Sequence, residues 1–425
     1  MNSKQLKNKI AKIARQARQA SFKLSLVDTG LKNTVLKQMA KDLIKNKKKI
    51  VAANKKDLSV ARRKNLSVAF IDRLTLTDKI IQNMSNSLNQ ISKLDDPVGD
   101  VIKSWFRPNG MKISKVRVPI GSILIIYEAR PNVTADCIGL CLKSSNCVIL
   151  RGGSNALNSN KAIFNILNKV ALKNKIPQGS ISLIDSVDRK AVDFLLKMDD
   201  AIDLVIPRGG EGLIREVANK SRIPVIKHYK GICHVYVDAE ADLNMAHKVV
   251  FNAKVQRPGV CNAAETLLVH KDVAIRFLPA MVKHLQDVGC KIRGCELTRK
   301  ITKNLKKVSI AKEKDWSLEY LDLILSVKVV HSIGEAVSHI NRYGSRHSDS
   351  IITEDRYNAQ KFLKEVDSAC VFVNTSTRFS DGYQFGMGAE MGISTDKLHA
   401  RGPMALEELT TYKYTIEGNG QIREQ

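Results

Sequence analysis

The chain has no long apolar run and little aromatic surface, and each lack removes a class of protein. No stretch approaches the roughly 20 consecutive apolar residues of a membrane-spanning helix. The longest run, near residues 120–127, suits a buried strand, so no membrane partner is expected. The first twenty residues are polar and basic and lack the apolar segment of a secretory signal, which makes a cytoplasmic location the expectation. The eight cysteines include no C-x-x-C pair, no histidine cluster completes a zinc spacing, and no metal site is expected. Without export the thiols should be reduced, most of them as small buried hydrophobes. Aromatics make up only 5% of residues, with no zinc finger and no RRM-type motif, and no internal repeat is visible.

Acidic residues are also scarce, and the formal net charge is +27. Nucleic acid is the first reading of such a balance. The excess is front-loaded, however: residues 1–50 hold fourteen Lys or Arg against Asp28 and Asp42. Most are Lys rather than the Arg that bidentate recognition favours. A lysine-rich composition spread over solvated helix faces is the better account, and a nucleic-acid partner is disfavoured. A positive field would still help to draw in anionic substrates and cofactors.

At 425 residues, 44% of them hydrophobic, the chain suits two or three domains. Leu6, Ile10, Ile13 and Ala17 recur at helical spacing, which predicts an amphipathic helix docked on its own protein. Helical patterning continues to about residue 95, with Leu36, Met39, Ala40 and Leu43 on one face. The texture changes at Ile113. Strand-like runs at 122–127, 147–151, 182–185, 203–206 and 223–227 alternate with helical stretches such as 133–142 and 156–171. That alternation predicts βαβ units, a parallel sheet and right-handed crossovers. A run at 233–237, a helix over 243–254 and strands at 266–269, 324–330, 350–352 and 370–373 read as a second α/β unit. The alternating strand at 411–416 has no evident sheet partner, and such strands often pair with another subunit.

Parallel sheets bind ligands at the carboxyl ends of their strands. Two glycine-rich turns fall there, Arg151-Gly-Gly-Ser154 and Pro207-Arg-Gly-Gly-Glu-Gly212. Each offers backbone N–H groups and an Arg to a phosphate. Neither is G-x-G-x-x-G, and taken alone each reads as ordinary turn chemistry. Two in one sheet point to a dinucleotide, and Arg in place of an acidic residue favours a 2′-phosphate, hence NADP.

Cys261 differs from the other cysteines in its setting, the Pro- and Gly-containing loop Gln256-Arg-Pro-Gly-Val-Cys-Asn-Ala-Ala-Glu265. Such a loop displays a thiol, and Arg257 would favour the thiolate. Asn262, beside the Cys261 N–H, could help to hold an oxyanion. The local sequence leaves a nucleophile and an idle loop thiol both open. Nothing local pairs His228 or His234 with Cys261, so a cysteine-protease arrangement lacks support. In Asn374-Thr-Ser-Thr-Arg378 the residues Ser376, Thr377 and Arg378 could grip a carboxylate or phosphate, or form a plain capped turn.

Longer motifs carry more. They include Arg117-Val-Pro-Ile-Gly121, Tyr127-Glu-Ala-Arg-Pro-Asn132, Val148-Ile-Leu-Arg-Gly-Gly-Ser154, Ile206-Pro-Arg-Gly-Gly-Glu211, Arg222-Ile-Pro-Val-Ile-Lys-His-Tyr-Lys-Gly231, Ala253-Lys-Val-Gln-Arg-Pro-Gly-Val-Cys-Asn262 and Lys397-Leu-His-Ala-Arg-Gly-Pro403. Through them the chain resembles, over nearly its full length, the gamma-glutamyl phosphate reductases of the aldehyde dehydrogenase superfamily.

The resemblance implies an aldehyde dehydrogenase-like α/β fold: two Rossmann-like α/β domains with a small β-flap for oligomerisation. Residues 1–110 and 130–232 would bind NADPH, 233–368 would form the catalytic domain, and 111–129 with 375–425 the flap and C-terminal strand. The implied reaction is NADPH-dependent reduction of L-glutamyl 5-phosphate to L-glutamate 5-semialdehyde and phosphate, the second step of proline biosynthesis from glutamate. Cys261 would form a thioester, with Asn132 as a second oxyanion donor. Cofactor contacts would fall on Arg151, Gly152, Gly153, Ser154, Pro207, Arg208, Gly209, Gly210 and Glu319, and substrate contacts on Arg257, Asn262, Ser376, Thr377 and Arg378. A homo-oligomer is implied, with room for transient association with a glutamate 5-kinase.

The sequence departs from the family pattern at Arg346 and Tyr383, where Gly is expected, and at Ala264, where Met is usual. If either Gly served a positive φ, the local loop must differ. The glutamate with which oxidising aldehyde dehydrogenases activate water would align near Lys227 and His228, and neither is acidic. The rivals are an oxidising aldehyde dehydrogenase and a basic binding protein on the same fold. The first would turn over aldehyde without phosphate. The second would bind nucleic acid in a salt-sensitive way and ignore the loss of Cys261.

Overall fold

The structure, a computed structural model, describes residues 2–128 and 130–423. Met1, Ala129, Glu424 and Gln425 fall inside the expected domain ranges and lie outside the described residues. The chain divides into two compact units. The first holds the described residues of Met1–Lys227, Gly386–Gly392 and Met404–Gln425, and the second holds His228–Phe385 and Ile393–Pro403.

The first unit opens with α1 (Ser3–Leu24), α2 (Thr29–Lys45), α3 (Lys47–Arg63), α4 (Val68–Leu74) and α5 (Asp78–Ile91). Asn2, Asp28 and Thr77 start α1, α2 and α5 by accepting first-turn N–H groups, as N-caps do. α1 buries Leu6, Ile10, Ala14 and Ala17. The stripe is centred on Ala14, with Ile13 half-buried at its margin. α2 buries Leu36, Met39, Ala40 and Leu43.

Two strands of a small antiparallel sheet follow, β1 (Val101–Phe106) and β2 (Lys112–Pro119). A turn at Gly121, with φ +130°, then leads into β3 (Ser122–Tyr127), α6 (Val133–Lys143), β4 (Cys147–Gly152), α7 (Leu157–Lys173), β5 (Ile181–Leu183), α8 (Lys190–Leu195), β6 (Leu204–Arg208) and α9 (Glu211–Lys220). The four strands form a parallel sheet in the order β5-β4-β3-β6. β3 is buried from end to end, as the centre of a sheet covered by helices must be. Its register sets Tyr127 opposite Gly152 and Arg208, so β3, β4 and β6 end level with one another. The strand order reverses at β3, which is where ligands of such sheets bind. The strand expected at 223–227 is reduced to a single bridge, Val205 to Val225. Pro224 has no N–H with which to extend a ladder.

The second unit runs β7 (Cys233–Val237), α10 (Leu243–Val255), β8 (Ala264–His270), α11 (Lys271–Asp287), β9 (Lys291–Gly294), α12 (Glu296–Ile301), β10 (Ser309–Ile310), β11 (Ile324–Val330), α13 (Ile333–Tyr343), β12 (Ser348–Ile352), α14 (Arg356–Glu365) and β13 (Cys370–Val373). Its seven strands are all parallel, in the order β10-β9-β11-β8-β7-β12-β13. β7 and β8 are buried along their whole length, and Val235, Leu267, Phe277, Met281 and Val327 join in one apolar cluster. This unit continues past residue 368, where the expected catalytic domain stops, through β13 to Phe385.

The chain ends with the short pair β14 (Gly392–Ser394) and β15 (Gly402–Met404), then β16 (Thr410–Glu417). β16 was expected to lack a partner in its own chain. It instead lies antiparallel to β2 along its length, from Thr410 opposite Pro119 to Glu417 opposite Lys112. The flap is the sheet β1-β2-β16. It starts at Val101 rather than residue 111, and residues 122–127 belong to the parallel sheet rather than to the flap.

Candidate active site

Six of the eight cysteines are buried, and only Cys261 and Cys295 are half-exposed. Burial strips a thiolate of water and so raises the thiol's pKa. It pushes Cys147 and Cys290 up to about 12 and drives Cys137, Cys141 and Cys233 upward as well. The Cys295 sulfur is committed to structure, accepting from the Thr298 N–H at 3.5 Å and the Val329 N–H at 3.4 Å. Cys261 is the half-exposed thiol whose sulfur has no hydrogen-bond partner among the described residues.

The loop from α10 to β8 holds Cys261 by its backbone. The Cys233 thiol donates to the Cys261 carbonyl at 3.2 Å. Gly231 lies flat against the same peptide: a Cβ there would fall 1.9 Å from the Cys261 carbonyl oxygen, so only glycine fits. The Gly231 N–H donates to Glu319 Oε1 at 2.8 Å. This places Glu319, expected at the cofactor, in the second unit beside the Cys261 loop. No histidine hydrogen-bonds the Cys261 sulfur among the described residues, and His234 is committed to Asp349 at 2.8 Å inside the core.

The expected substrate residues gather on the other side of the loop. Asn262 is buried, and its amide nitrogen donates to the Ser380 carbonyl at 2.8 Å. Its amide oxygen accepts from Arg378 Nη1, and its carbonyl accepts from the Thr377 hydroxyl at 2.8 Å. Asn262 therefore ties two loops together, with both ends of its side chain occupied. The Ser376 hydroxyl caps the short turn at Arg378. Arg378 also donates through Nε to Gln256 at 2.9 Å. Burial, and then the neighbouring Arg257 guanidinium, lowers the Arg378 pKa. The Asp381 carboxylate acts the other way and raises it. Arg346, at an expected Gly, takes φ +61°. An arginine thus bears the left-handed conformation that glycine adopts most readily. Tyr383 has no positive φ, and its N–H donates to Asp381 Oδ1 at 3.0 Å.

In the first unit, the turn after β4 is built for close approach. A Cβ on Gly152 would fall 2.1 Å from the Asn160 amide nitrogen and 3.1 Å from the Tyr127 ring. Beneath it, the Tyr127 hydroxyl meets the Thr134 hydroxyl at 2.7 Å, and Thr134 donates to Asn160 at 3.2 Å. Gly153 and Ser154 carry the chain into α7 through one turn of 3₁₀ helix. Arg151 Nη1 donates to the Gly152 carbonyl at 3.0 Å, while its Nε is buried without a partner among the described residues. Burial, with Arg189 close by, lowers the Arg151 pKa. The turn after β6 is already filled. Glu128 accepts from the Gly210 N–H at 3.0 Å, and a Cβ on Gly209 would fall 2.7 Å from the Glu128 carboxyl carbon. Pro207 is buried in β6, and Arg208 lies over Gly392, where a Cβ would meet its Nη1 at 1.5 Å. Asn132 precedes α6 and makes no cap through its side chain. Glu128 was missed in the sequence, since nothing local shows which turn a carboxylate fills.

Residues 3–296 match the model of the aldehyde dehydrogenase family. A gamma-glutamyl phosphate reductase of Caldanaerobacter subterraneus is 56% identical over 410 residues, covering 96% of this chain and 98% of its own. Another, of Thermodesulfovibrio yellowstonii, is 54% identical over 421 residues, covering 99% and 100%. The crystal structure of gamma-glutamyl phosphate reductase from Thermotoga maritima matches with a TM-score of 0.95 at 47% identity, covering 98% of this chain and 100% of that one.

Proposed function

The chain belongs to the aldehyde dehydrogenase family, and from that membership we propose that it reduces L-glutamyl 5-phosphate to L-glutamate 5-semialdehyde with NADPH, by way of a thioester on Cys261. The observation that carries the proposal is the half-exposed Cys261 thiol, held by its backbone and uncommitted at its sulfur.

The Cys261 thiolate attacks the γ-carbonyl carbon of the acyl phosphate. The Cys261 N–H is the donor to the oxyanion that forms, and one such donor is typically worth roughly 3 kcal/mol. The carbon–oxygen bond to phosphate then breaks, leaving the thioester. Arg257 and Arg378 are the cations for the departing phosphate; Arg378 donates to the protein through Nε and Nη1, and its Nη2 makes no hydrogen bond among the described residues. When bound, NADPH supplies the hydride that reduces the thioester carbonyl. Expulsion of the Cys261 thiolate releases the aldehyde and restores the enzyme. The residues fit the cofactor at the turn after β4, where Arg151 Nε is a buried donor with no acceptor among the described residues. Arg151 is our choice for the 2′-phosphate. With Lys227 and His228 where an oxidising relative has its base, no carboxylate there prepares water to hydrolyse the thioester.

The test is a coupled assay with a glutamate kinase, ATP and NADPH, since the acyl phosphate must be made in place. Cys261→Ala should abolish NADPH consumption while NADPH still binds. Substantial turnover in that variant would sink the covalent route. Aldehyde oxidation that proceeds without phosphate would point to the oxidising rival.

A further inference from the structure

One feature beside the nucleophile takes no part in these steps. Lys254, near the end of α10, and Glu265, near the start of β8, meet at 2.6 Å with both side chains 0% exposed. They stand at the two ends of the loop that carries Cys261. Glu265 Oε2 takes the ammonium, and Oε1 accepts from the Leu321 N–H at 3.1 Å. Leu321 sits at φ +52°, a conformation a leucine rarely adopts without being held. Two residues earlier, Glu319 holds the Gly231 N–H, and Gly231 is wedged against the Cys261 peptide. The chain of contacts thus runs from the ion pair to the 319–321 segment, then to Gly231, and so back to Cys261.

A buried ion pair is a poor way to gain stability. Stripping two charges of water costs much of what their attraction returns, and apolar pairs of similar volume are often neutral or stabilising in its place. Here burial lifts the Glu265 carboxyl to about 7 even with the Lys254 ammonium beside it. Directional hold is what a charged pair offers and an apolar one lacks, because it fixes the separation and angle of the two loop ends.

We infer that Lys254 and Glu265 are positioning residues that set the Cys261 thiol at its reacting angle by locking both ends of its loop and, through Leu321 and Glu319, the Gly231 wedge. The inference rests on Cys261 being the nucleophile.

The test compares Lys254→Met/Glu265→Leu, Glu265→Gln and Lys254→Arg in the full-length enzyme. Thermal midpoint, kcat, the KM for NADPH, and the rate of Cys261 alkylation by iodoacetamide, read by peptide mass spectrometry, are followed together. The apolar pair should leave the midpoint unchanged or raised. Its kcat should fall by about ten- to a hundredfold, the scale of misplacing a reacting group by about 1 Å. The KM for NADPH should not move, and Cys261 alkylation should change in rate. Lys254→Arg, which keeps charge and hydrogen bonding, should recover most of the kcat. Glu265→Gln keeps the shape and the Leu321 contact but leaves the Lys254 ammonium without its counter-charge, so its midpoint should fall. Should the apolar pair not fold, the kcat and Cys261 alkylation of Glu265→Gln, read well below its own midpoint, serve instead, and kcat should still be reduced there. Unchanged kcat and alkylation in either variant overturns the inference, as does a kcat loss that only tracks a fallen midpoint. Turnover surviving in Cys261→Ala would instead sink the thioester reading itself.

Discussion

A residue's neighbours in sequence display it, but its neighbours in space decide what it does. Cys261 was legible because proline and glycine around it predict a displayed loop. Asn262, next in sequence, was not, since local sequence cannot tell which way an amide turns. It turns inward to Ser380 and Arg378, more than a hundred positions along the chain. The substitution at an expected glycine, Arg346, shows the limit from the other side. The pattern located a left-handed position, and the φ of +61° is there, borne by an arginine whose side chain approaches Asp367 at 3.5 Å. Arg151 gives the sharpest prediction at this scale. Its Nε is buried with no partner among the described residues, so a cofactor acceptor there would satisfy a donor whose burial costs about 1–3 kcal/mol unpaired. Arg151→Ala should therefore raise the KM for NADPH by roughly ten- to a hundredfold and that for NADH by much less. Initial rates with both cofactors check this, and equal losses would remove Arg151 from the 2′-phosphate role.

At the scale of elements, the strands of the parallel sheets read cleanly from sequence because each is a short buried run bounded by turn residues. β3, β7 and β11 begin and end where the hydrophobic pattern does. What failed were pairings. The last strand looked orphaned because its partner β2 lies nearly 300 residues earlier, and no local signal spans that distance. The run at 223–227 looked like a fifth strand because hydrophobicity does not register the missing N–H of Pro224. The flap that β16 completes carries aromatic surface outward. Tyr412 and Tyr414 are exposed, Trp105 meets Tyr414 edge to face at 6.2 Å, and Lys115 lies 3.6 Å from the centroid of the Tyr412 ring. Val101, Ile102, Phe106 and Ile416 are exposed on the same sheet. By register, Trp105, Tyr412, Tyr414 and Ile416 share one face of the sheet, and exposed apolar patches of that kind often serve as interfaces. Tyr412→Asp with Tyr414→Asp should dissociate a homo-oligomer into smaller species while leaving the far-ultraviolet circular dichroism unchanged. Light scattering after size exclusion decides it: an unchanged mass for the variant would free the flap of that role.

For the whole molecule the outstanding property is charge. A net +27 is not needed to build two α/β units, and most of the excess sits in the helices before β1, far in sequence from Cys261, Arg257 and Arg378. Composition could say that the charge is there and where along the chain, but not whether it acts. The proposed reaction gives it something to act on, since both the acyl phosphate and NADPH are anions. Fields of this kind raise association rates by roughly 10- to 1,000-fold in strong cases and fade as salt shortens the Debye length, about 10 Å at 0.1 M and about 3 Å at 1 M. Steering acts on encounter and not on chemistry. Raising potassium chloride from low to high ionic strength should therefore lower kcat/KM for NADPH severalfold while leaving kcat flat. The salt should not be a phosphate, which would compete for the Arg257 and Arg378 cations. A flat kcat/KM would reduce the lysines to solvating the helix faces. Tight, salt-sensitive retention of nucleic acid that survives Cys261→Ala would restore the binding-protein reading. Loss of kcat/KM with salt, beside an unchanged kcat, would tie the charge to the anionic ligands of the proposed reaction.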